Sequence, residues 1–133
     1  MYMLDTNTVS YFFRQDPTVV KKLQQLNPEL ICISSVTAAE LFYGVKKRNN
    51  QKLTAFLNTF LSAITVMDWD YQVAEVYGQL RAEMEREGKI MGVQDQMIGA
   101  HALATECVLV SSDKAFQFIP NLVLENWWKQ FLP

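Results

Sequence analysis

The sequence has few residues that could bind zinc or form disulfides. Among 133 residues there are one histidine, His101, and two cysteines, Cys32 and Cys107. Both cysteines lie in apolar segments, ICIS and ECVLV, which is typical of buried thiols in a reducing compartment. The sequence therefore predicts neither a disulfide nor a zinc site.

Long apolar runs and excess positive charge are also missing. No apolar run approaches the roughly 20 residues needed to cross a bilayer, and Asp5 occupies the N-terminus where a secretory signal would be basic. The formal charge of −2 indicates no broad basic surface, so a polyanion would have to be bound by local groups or cations. We expect a soluble, cytoplasmic protein that has no membrane partner.

Short apolar runs alternate with helical patterns along the chain, and 50% of the residues are hydrophobic. This alternation predicts parallel strands joined by helices. A chain of this length suits one domain, residues 1–133. The predicted strands are Tyr2–Leu4, Leu30–Ser34, Ile64–Met67, Val108–Ser111 and a weaker Leu122–Leu124.

Capping residues and apolar spacing predict the helices. Asp16 followed by Pro17 is typical of a helix start, whereas Gly88 ends one helix and Gly92 introduces the next. Thr37 and Glu40 have the spacing of a capping box. The predicted helices are 17–26, 34–45, 51–63, 71–87 and 93–106.

Four acidic residues fall near one edge of the predicted sheet. Asp5 ends the first strand, and Glu40 lies in the helix after the second strand. Asp95 lies in the first turn of a later helix, and Asp113 follows the strand Val108–Ser111. Ligands of open parallel sheets bind at the carboxyl ends of the strands. Because Glu40 and Asp95 lie on otherwise apolar helix faces, we expect their carboxylates to point inward.

Each acid also has an ordinary structural interpretation. Asp5 or Asn7 could cap a helix, Glu40 could complete the capping box, Asp95 could oppose a helix dipole, and Asp113 could start a turn. Together, however, carboxylates about 4 Å apart would repel by roughly 4 kcal/mol per pair. Such a cluster needs cations, and oxygen ligands favour Mg²⁺ or Mn²⁺. A site of this kind suits phosphodiester hydrolysis.

Four segments of the sequence stand out together: MLDTN at 3–7, ISSVTAAELFYG at 33–44, DQMIGAHAL at 95–103 and LVSSDKAF at 109–116. In order and spacing they resemble the motifs of the PIN-domain nucleases, and within that family the VapC toxins of bacterial toxin–antitoxin modules. The resemblance covers essentially the whole chain. It implies an α/β fold: a PIN-like three-layer α/β/α sandwich with a central, mainly parallel sheet of four to five strands.

The resemblance also implies a site and a set of partners. It implies an endoribonuclease toxin that uses Mg²⁺ or Mn²⁺ to cleave RNA such as tRNA. It further implies a homodimer, a VapB-like antitoxin that blocks the site, and operator DNA bound only through the antitoxin complex. The implied catalytic and metal-binding residues are Asp5, Glu40, Asp95 and Asp113, with Asn7 and Ser111 as supporting polar groups.

The sequence departs from the family pattern in two places. Ser111 stands where threonine is more common, which retains the hydroxyl. Ala115 stands where an acid is common, which removes a minor polar contact. Asp113 ranks below the other three acids because relatives vary at its position.

Other residues favour structural roles. His101 lies six residues after Asp95 and so on a different part of the helix, which favours a structural role over that of a general base. Trp127 and Trp128 suit packing or dimer contacts. Lys46–Arg48 and Lys52 are typical of a solvated loop, although they could also hold RNA phosphates. The aromatic residues Phe12, Phe13, Phe42 and Tyr43 suit either the core or an antitoxin groove.

Two other function classes remain open at the level of sequence. A phosphoacceptor receiver domain or a haloacid-dehalogenase-like phosphatase also uses an aspartate at a strand end. The receiver class would need an acidic pair after the first strand, and the phosphatase class would need an aspartate where Asn7 stands. A PIN-fold protein that only binds a partner, without catalysis, is the other alternative.

Overall fold

The computed structural model describes residues 1–128, so residues 129–133 of the predicted domain lie outside the described part. A five-stranded sheet has the order β3-β2-β1-β4-β5, and all neighbouring strands are parallel. The predicted parallel sheet is confirmed, and the strand order reverses at the central β1. The strands are β1 Tyr2–Leu4, β2 Ile31–Ser34, β3 Thr65–Met67, β4 Val108–Val110 and β5 Leu124–Glu125.

Six α-helices connect these strands within residues 1–128. The helix α4 has the predicted bounds, and α2 begins at Pro17 with Asp16 as its N-cap, as predicted. Gly88 follows α5 with a φ of 71°, which explains why glycine stands there. The helices are α1 Thr6–Phe13, α2 Pro17–Gln24, α3 Ser35–Arg48, α4 Gln51–Ala63, α5 Tyr71–Arg86 and α6 Val93–Ala104, with short 3₁₀ turns at Pro28–Leu30 and Lys114–Phe118.

Apart from shifts of one or two residues at the ends of other elements, the sequence prediction differs from the structure in three places. The helix α1 is not among the predicted helices. Residues Lys46–Arg48 form the last turn of α3 instead of a loop, and Asn49 ends this helix in the left-handed conformation. The last strand, β5, lies about two residues later than predicted. Short elements such as α1 and β5 carry too few apolar positions to define a period.

Alternating strand residues build the two apolar layers of an α/β/α sandwich. Leu4 and Val110 pack with α1 to α4 on one face of the sheet. Met3 and Leu109 pack with α5 and α6 on the other face. A strand directs successive side chains to opposite faces, and both faces of β1, β2 and β4 are covered here, so these strands are apolar at nearly every position.

Both cysteines lie on the α5 and α6 side of the sheet. Cys32 and Cys107 are buried and free, as the sequence predicted. Within residues 1–128, none of the helices combines the length and apolar character needed to cross a membrane.

Close packing of α6 explains the glycine at position 99. A Cβ atom there would collide with Cδ1 of Ile119 and lie 3.4 Å from the Phe116 ring. Both of those side chains are buried, so they have little room to move. The small residue thus lets the helix that carries Asp95 lie against the turn that follows Asp113.

We expect Gly99→Ala to lower the free energy of unfolding by about 1–2 kcal/mol, because the added methyl group overpacks this contact. Gly78→Ala is the matched control, since nothing lies within 4 Å of a Cβ atom on that glycine of α5. The control should be neutral or stabilising by up to about 1 kcal/mol. Equal unfolding midpoints in urea for both variants would contradict the packing argument.

Candidate active site

The carboxyl ends of three central strands bring together the polar groups of the site. Asp5 directly follows β1 and is only 3% exposed. Its backbone N–H donates to the Val110 carbonyl of β4 at 3.1 Å. Its carboxylate accepts a hydrogen bond from the Thr8 backbone N–H at 2.9 Å, which caps α1. The helix-capping interpretation of Asp5 is therefore correct, and it does not exclude a second role.

Ser111 and Asp113 lie on the loop after β4. The Ser111 side chain is buried, and its hydroxyl lies close enough to the Asp5 carboxylate to lower the pKa of Asp5. The same Ser111 oxygen accepts from the Asp113 backbone N–H at 3.0 Å. The carboxylate of Asp113 is exposed and accepts from the Ala115 N–H at 2.9 Å. Asp113 thus starts a turn, as its structural interpretation proposed, while remaining near Asp5 and Asp95.

Glu40 is bonded differently from the sequence prediction. The helix α3 is capped by Ser34, whose hydroxyl accepts from the Val36 N–H. The predicted capping box between Thr37 and Glu40 is therefore wrong. The Thr6 hydroxyl instead donates to Oε1 of Glu40 at 2.6 Å, joining α1 to α3.

Asp95 supplies the electrostatic evidence that the four acids converge. It is half-buried in the first turn of α6. Burial, together with the charges of Asp113, Asp5 and Glu40, raises its pKa to about 6. The other three predicted acids therefore lie close enough to Asp95 to act on its charge.

The pKa of Asp5 is also raised, mainly because the carboxyl group is buried. Hydrogen bonds from Ser111 and Thr8 oppose this shift, whereas the charge of Asp113 adds to it. The site thus holds buried negative charge that is only partly compensated by hydrogen-bond donors.

The predicted supporting residue Asn7 is exposed, and it lies with Thr6 and Glu40 at one end of a groove between α1 and α3. The sequence analysis overlooked Thr6. Its position between Asp5 and Asn7 was a signal, because it places the hydroxyl in the first turn of the helix that follows the central strand.

His101 lies away from the acids and has the structural role that was predicted. Its ring is buried, and Nδ1 is 2.8 Å from the Ser34 hydroxyl. Burial lowers the pKa of His101. Because the Ser34 oxygen already accepts from the Val36 N–H, its own hydrogen can be donated to Nδ1. The neutral ring therefore joins α6 to the start of α3.

Both C-terminal tryptophans pack against aromatic residues of the chain. Trp127 is buried and tilted against Tyr2, with ring centroids 5.5 Å apart. Trp128 stacks on Tyr11 at 5.0 Å. These contacts agree with the packing role predicted for both residues.

The donor set fits a hard divalent cation. Its members are carboxylates, joined by hydroxyl and amide oxygens, and they carry unbalanced negative charge. Within residues 1–128, no three of these side chains already surround a common point at ligand distance. Glu40 accepts a hydrogen bond from the Thr6 hydroxyl, and Asp113 accepts one from the Ala115 backbone N–H. Each bond holds its carboxylate against its own neighbouring residues.

Residues 2–122 match the family model of the PIN domain. The chain belongs to the PIN-domain family. It is 40% identical over 133 residues to Ribonuclease VapC2 of Rickettsia felis, covering 97% of this chain and 99% of the relative. It is 38% identical over 128 residues to the tRNA(fMet)-specific endonuclease VapC of Salmonella typhimurium, covering 95% and 97% of the two chains.

A solved structure of VapBC2 from Rickettsia felis, bound to a DNA fragment from its promoter, has a similar fold. The TM-score is 0.88 at 39% identity, covering 95% of this chain and 98% of the other. These similarities confirm the predicted resemblance to PIN-domain nucleases of the VapC type and the predicted α/β/α fold. The receiver and phosphatase alternatives are therefore wrong.

The raised pKa of Asp95 predicts how stability depends on pH without metal. Because its pKa is raised, Asp95 binds a proton more tightly in the folded state than in the unfolded chain. The folded state therefore loses stability as pH rises from about 4, near the ordinary pKa, to about 6, the raised pKa. In chelator at pH 7, Asp95→Asn should therefore be more stable than the wild type by about 1 kcal/mol. This figure allows for solvent screening of the half-buried group. The difference should vanish near pH 4.

Asp70→Asn is the matched control for this measurement. Asp70 caps α5 by accepting from the Val73 N–H at 3.1 Å, and asparagine caps about as well. Its denaturation midpoint should stay near that of the wild type in this pH range. A less stable Asp95→Asn at pH 7 would indicate that Asp95 mainly stabilises the helix dipole.

Proposed function

We propose that this protein is a metal-dependent endoribonuclease, the toxin of a VapBC-type toxin–antitoxin pair. The observation that carries the proposal is the placement of Asp5, Glu40 and Asp113 around Asp95 at the strand-order reversal, where burial and these three charges raise the pKa of Asp95. Relatives named as ribonucleases over nearly the full chain support RNA as the substrate. The relative named as tRNA(fMet)-specific supports a structured RNA such as tRNA.

In this proposal the four carboxylates hold Mg²⁺ or Mn²⁺. Such an ion would activate a water molecule and stabilise the leaving oxygen of the phosphodiester. Asp5 is held in place for this task by the Thr8 backbone N–H, and Glu40 is held by the Thr6 hydroxyl. Exposed Asn7 can donate its amide to the substrate from the rim of the site.

The central test is RNA cleavage by the wild type and by Asp5→Asn. The variant should lose activity, because asparagine keeps the helix cap but removes the charge that holds the cation. Chelator should abolish wild-type cleavage, and Mg²⁺ or Mn²⁺ should restore it. Sequencing of the cleaved ends would identify the target.

Asp16→Asn is the control, because Asp16 also caps a helix, accepting from the Val19 N–H at 3.1 Å. It should cleave like the wild type. Activity of Asp5→Asn, or of the wild type in excess chelator, would contradict the proposal. A wild type that binds its partner but cuts no RNA under any condition would favour the alternative of a binding-only protein.

We further propose that a VapB-like antitoxin inhibits this site and that the toxin forms a homodimer. Structural neighbours solved as VapBC complexes with promoter DNA support such a partner, which would also carry the contact with operator DNA. The acidic site suits an inserted arginine, whose planar fork can bind two carboxylate oxygens.

The cognate antitoxin should therefore abolish RNA cleavage when added in equimolar amounts. Replacing the inserted arginine of the antitoxin by alanine should restore cleavage while the two proteins still co-purify. A complex that forms and leaves nuclease activity unchanged would exclude inhibition by occupation of the site.

A further inference from the structure

A groove of about 400 Å³ runs between α1 and α3, and Glu40 is the member of the acidic site that lines it. One end contains Thr6, Asn7 and Glu40, and the other contains Arg14 and Arg48. Both helices start at the carboxyl edge of the sheet, since α1 follows β1 and α3 follows β2. The groove therefore leads from Glu40 to two cations along neighbouring helices.

Helix periodicity explains this arrangement of charges. Glu40, Gly44 and Arg48 are spaced by four residues and share one face of α3, while Asn7 lies in the first turn of α1 and Arg14 caps its C-terminal end, about two turns away. At about 1.5 Å of rise per residue, Arg48 lies about 12 Å along α3 from Glu40. The arginines thus lie too far along the groove to be part of the acidic site itself. They are close enough to it to contact an extended ligand that is bound there.

Both arginines are free to bind an anion. Both are exposed, and neither forms an ion pair with any residue in 1–128. The Arg14 guanidinium lies over the Tyr11 ring, 5.3 Å from its centroid, which restrains it without neutralising its charge. The chain has a formal charge of −2, so these local cations matter for attracting a polyanion.

We propose that Arg14 and Arg48 bind backbone phosphates of the RNA substrate beside the one that is cleaved. The proposal rests on the ribonuclease function proposed above and extends it to a substrate path along the groove. RNA fits this end of the groove because it carries a negative charge at every nucleotide, and arginine can bind phosphate through two hydrogen bonds. The open space at Gly44 leaves room for the strand, since nothing lies within 4 Å of a Cβ atom there.

The test is the binding of a short fluorescein-labelled single-stranded RNA in chelator, where the ion-dependent cleavage cannot proceed, over a range of salt concentrations. The double variant Arg14→Ala and Arg48→Ala should bind about five- to tenfold more weakly at low salt. Loss of two phosphate contacts should also reduce the slope of log affinity against log salt by about 1.4. The control pair Lys21→Ala and Arg86→Ala removes two cations from the last turns of other helices and should change neither quantity.

A second pair of variants tests the path without touching the arginines. Gly44→Glu places a negative charge in the groove, and Gly44→Gln adds a side chain of nearly the same size. RNA should bind several-fold more weakly to the glutamate variant, and the difference should shrink as salt is raised.

Several outcomes would overturn this proposal. Wild-type affinity and salt slope in the double arginine variant, or equal RNA affinity for Gly44→Glu and Gly44→Gln, would exclude phosphate binding in the groove. Unchanged RNA binding together with lost antitoxin binding would make the groove a protein-binding site instead. If the wild type still cleaves RNA when any of these results is obtained, the proposed ribonuclease function stands. If the wild type fails to bind or cleave RNA, both the ribonuclease function and the phosphate-binding groove are overturned.

Discussion

Repulsion between carboxylates is the constraint on which the arrangement of this protein depends. Asp5, Glu40, Asp95 and Asp113 come from four different segments, and burial together with the charges of the other three raises the pKa of Asp95 to about 6. Like charges do not assemble without an opposing force. That force comes from the two apolar layers, which bury the strands from both faces and fix where each strand ends.

Residues with small hydroxyl side chains help to stabilise the carboxylates at this edge of the sheet. The Ser111 hydroxyl lies close to Asp5, the Thr6 hydroxyl donates to Glu40, and the Ser34 hydroxyl both caps α3 and contacts His101. The Thr6 bond links α1 to α3 and the Ser34 contact links α3 to α6, which the sheet alone would not connect. The site is consequently held by neutral donors, which leaves its negative charge available to a cation.

The charges at the ends of α1 and α3 affect both the stability of these helices and the groove between them. Helix dipoles favour anions at the first turn and cations at the last turn. Asp5 caps α1, and Arg14 lies at its other end. The last turn of α3 is basic through Lys46, Lys47 and Arg48. A charge pattern that stabilises two helices therefore also gives the groove an acidic end and a cationic end.

Local signals in the sequence determined the parallel α/β fold, the bounds of α4, the start of α2 and the choice of the four acids, because caps and apolar periods act over a few residues. The same local reasoning assigned Glu40 to a capping box with Thr37 and did not predict α1, whose eight residues are too short for a clear period. Only the tertiary structure decided that Glu40 accepts from Thr6, a residue 34 positions away, and that Arg14 and Arg48 line one groove. Such partners are chosen by how helices pack across the sheet, which local spacing does not specify.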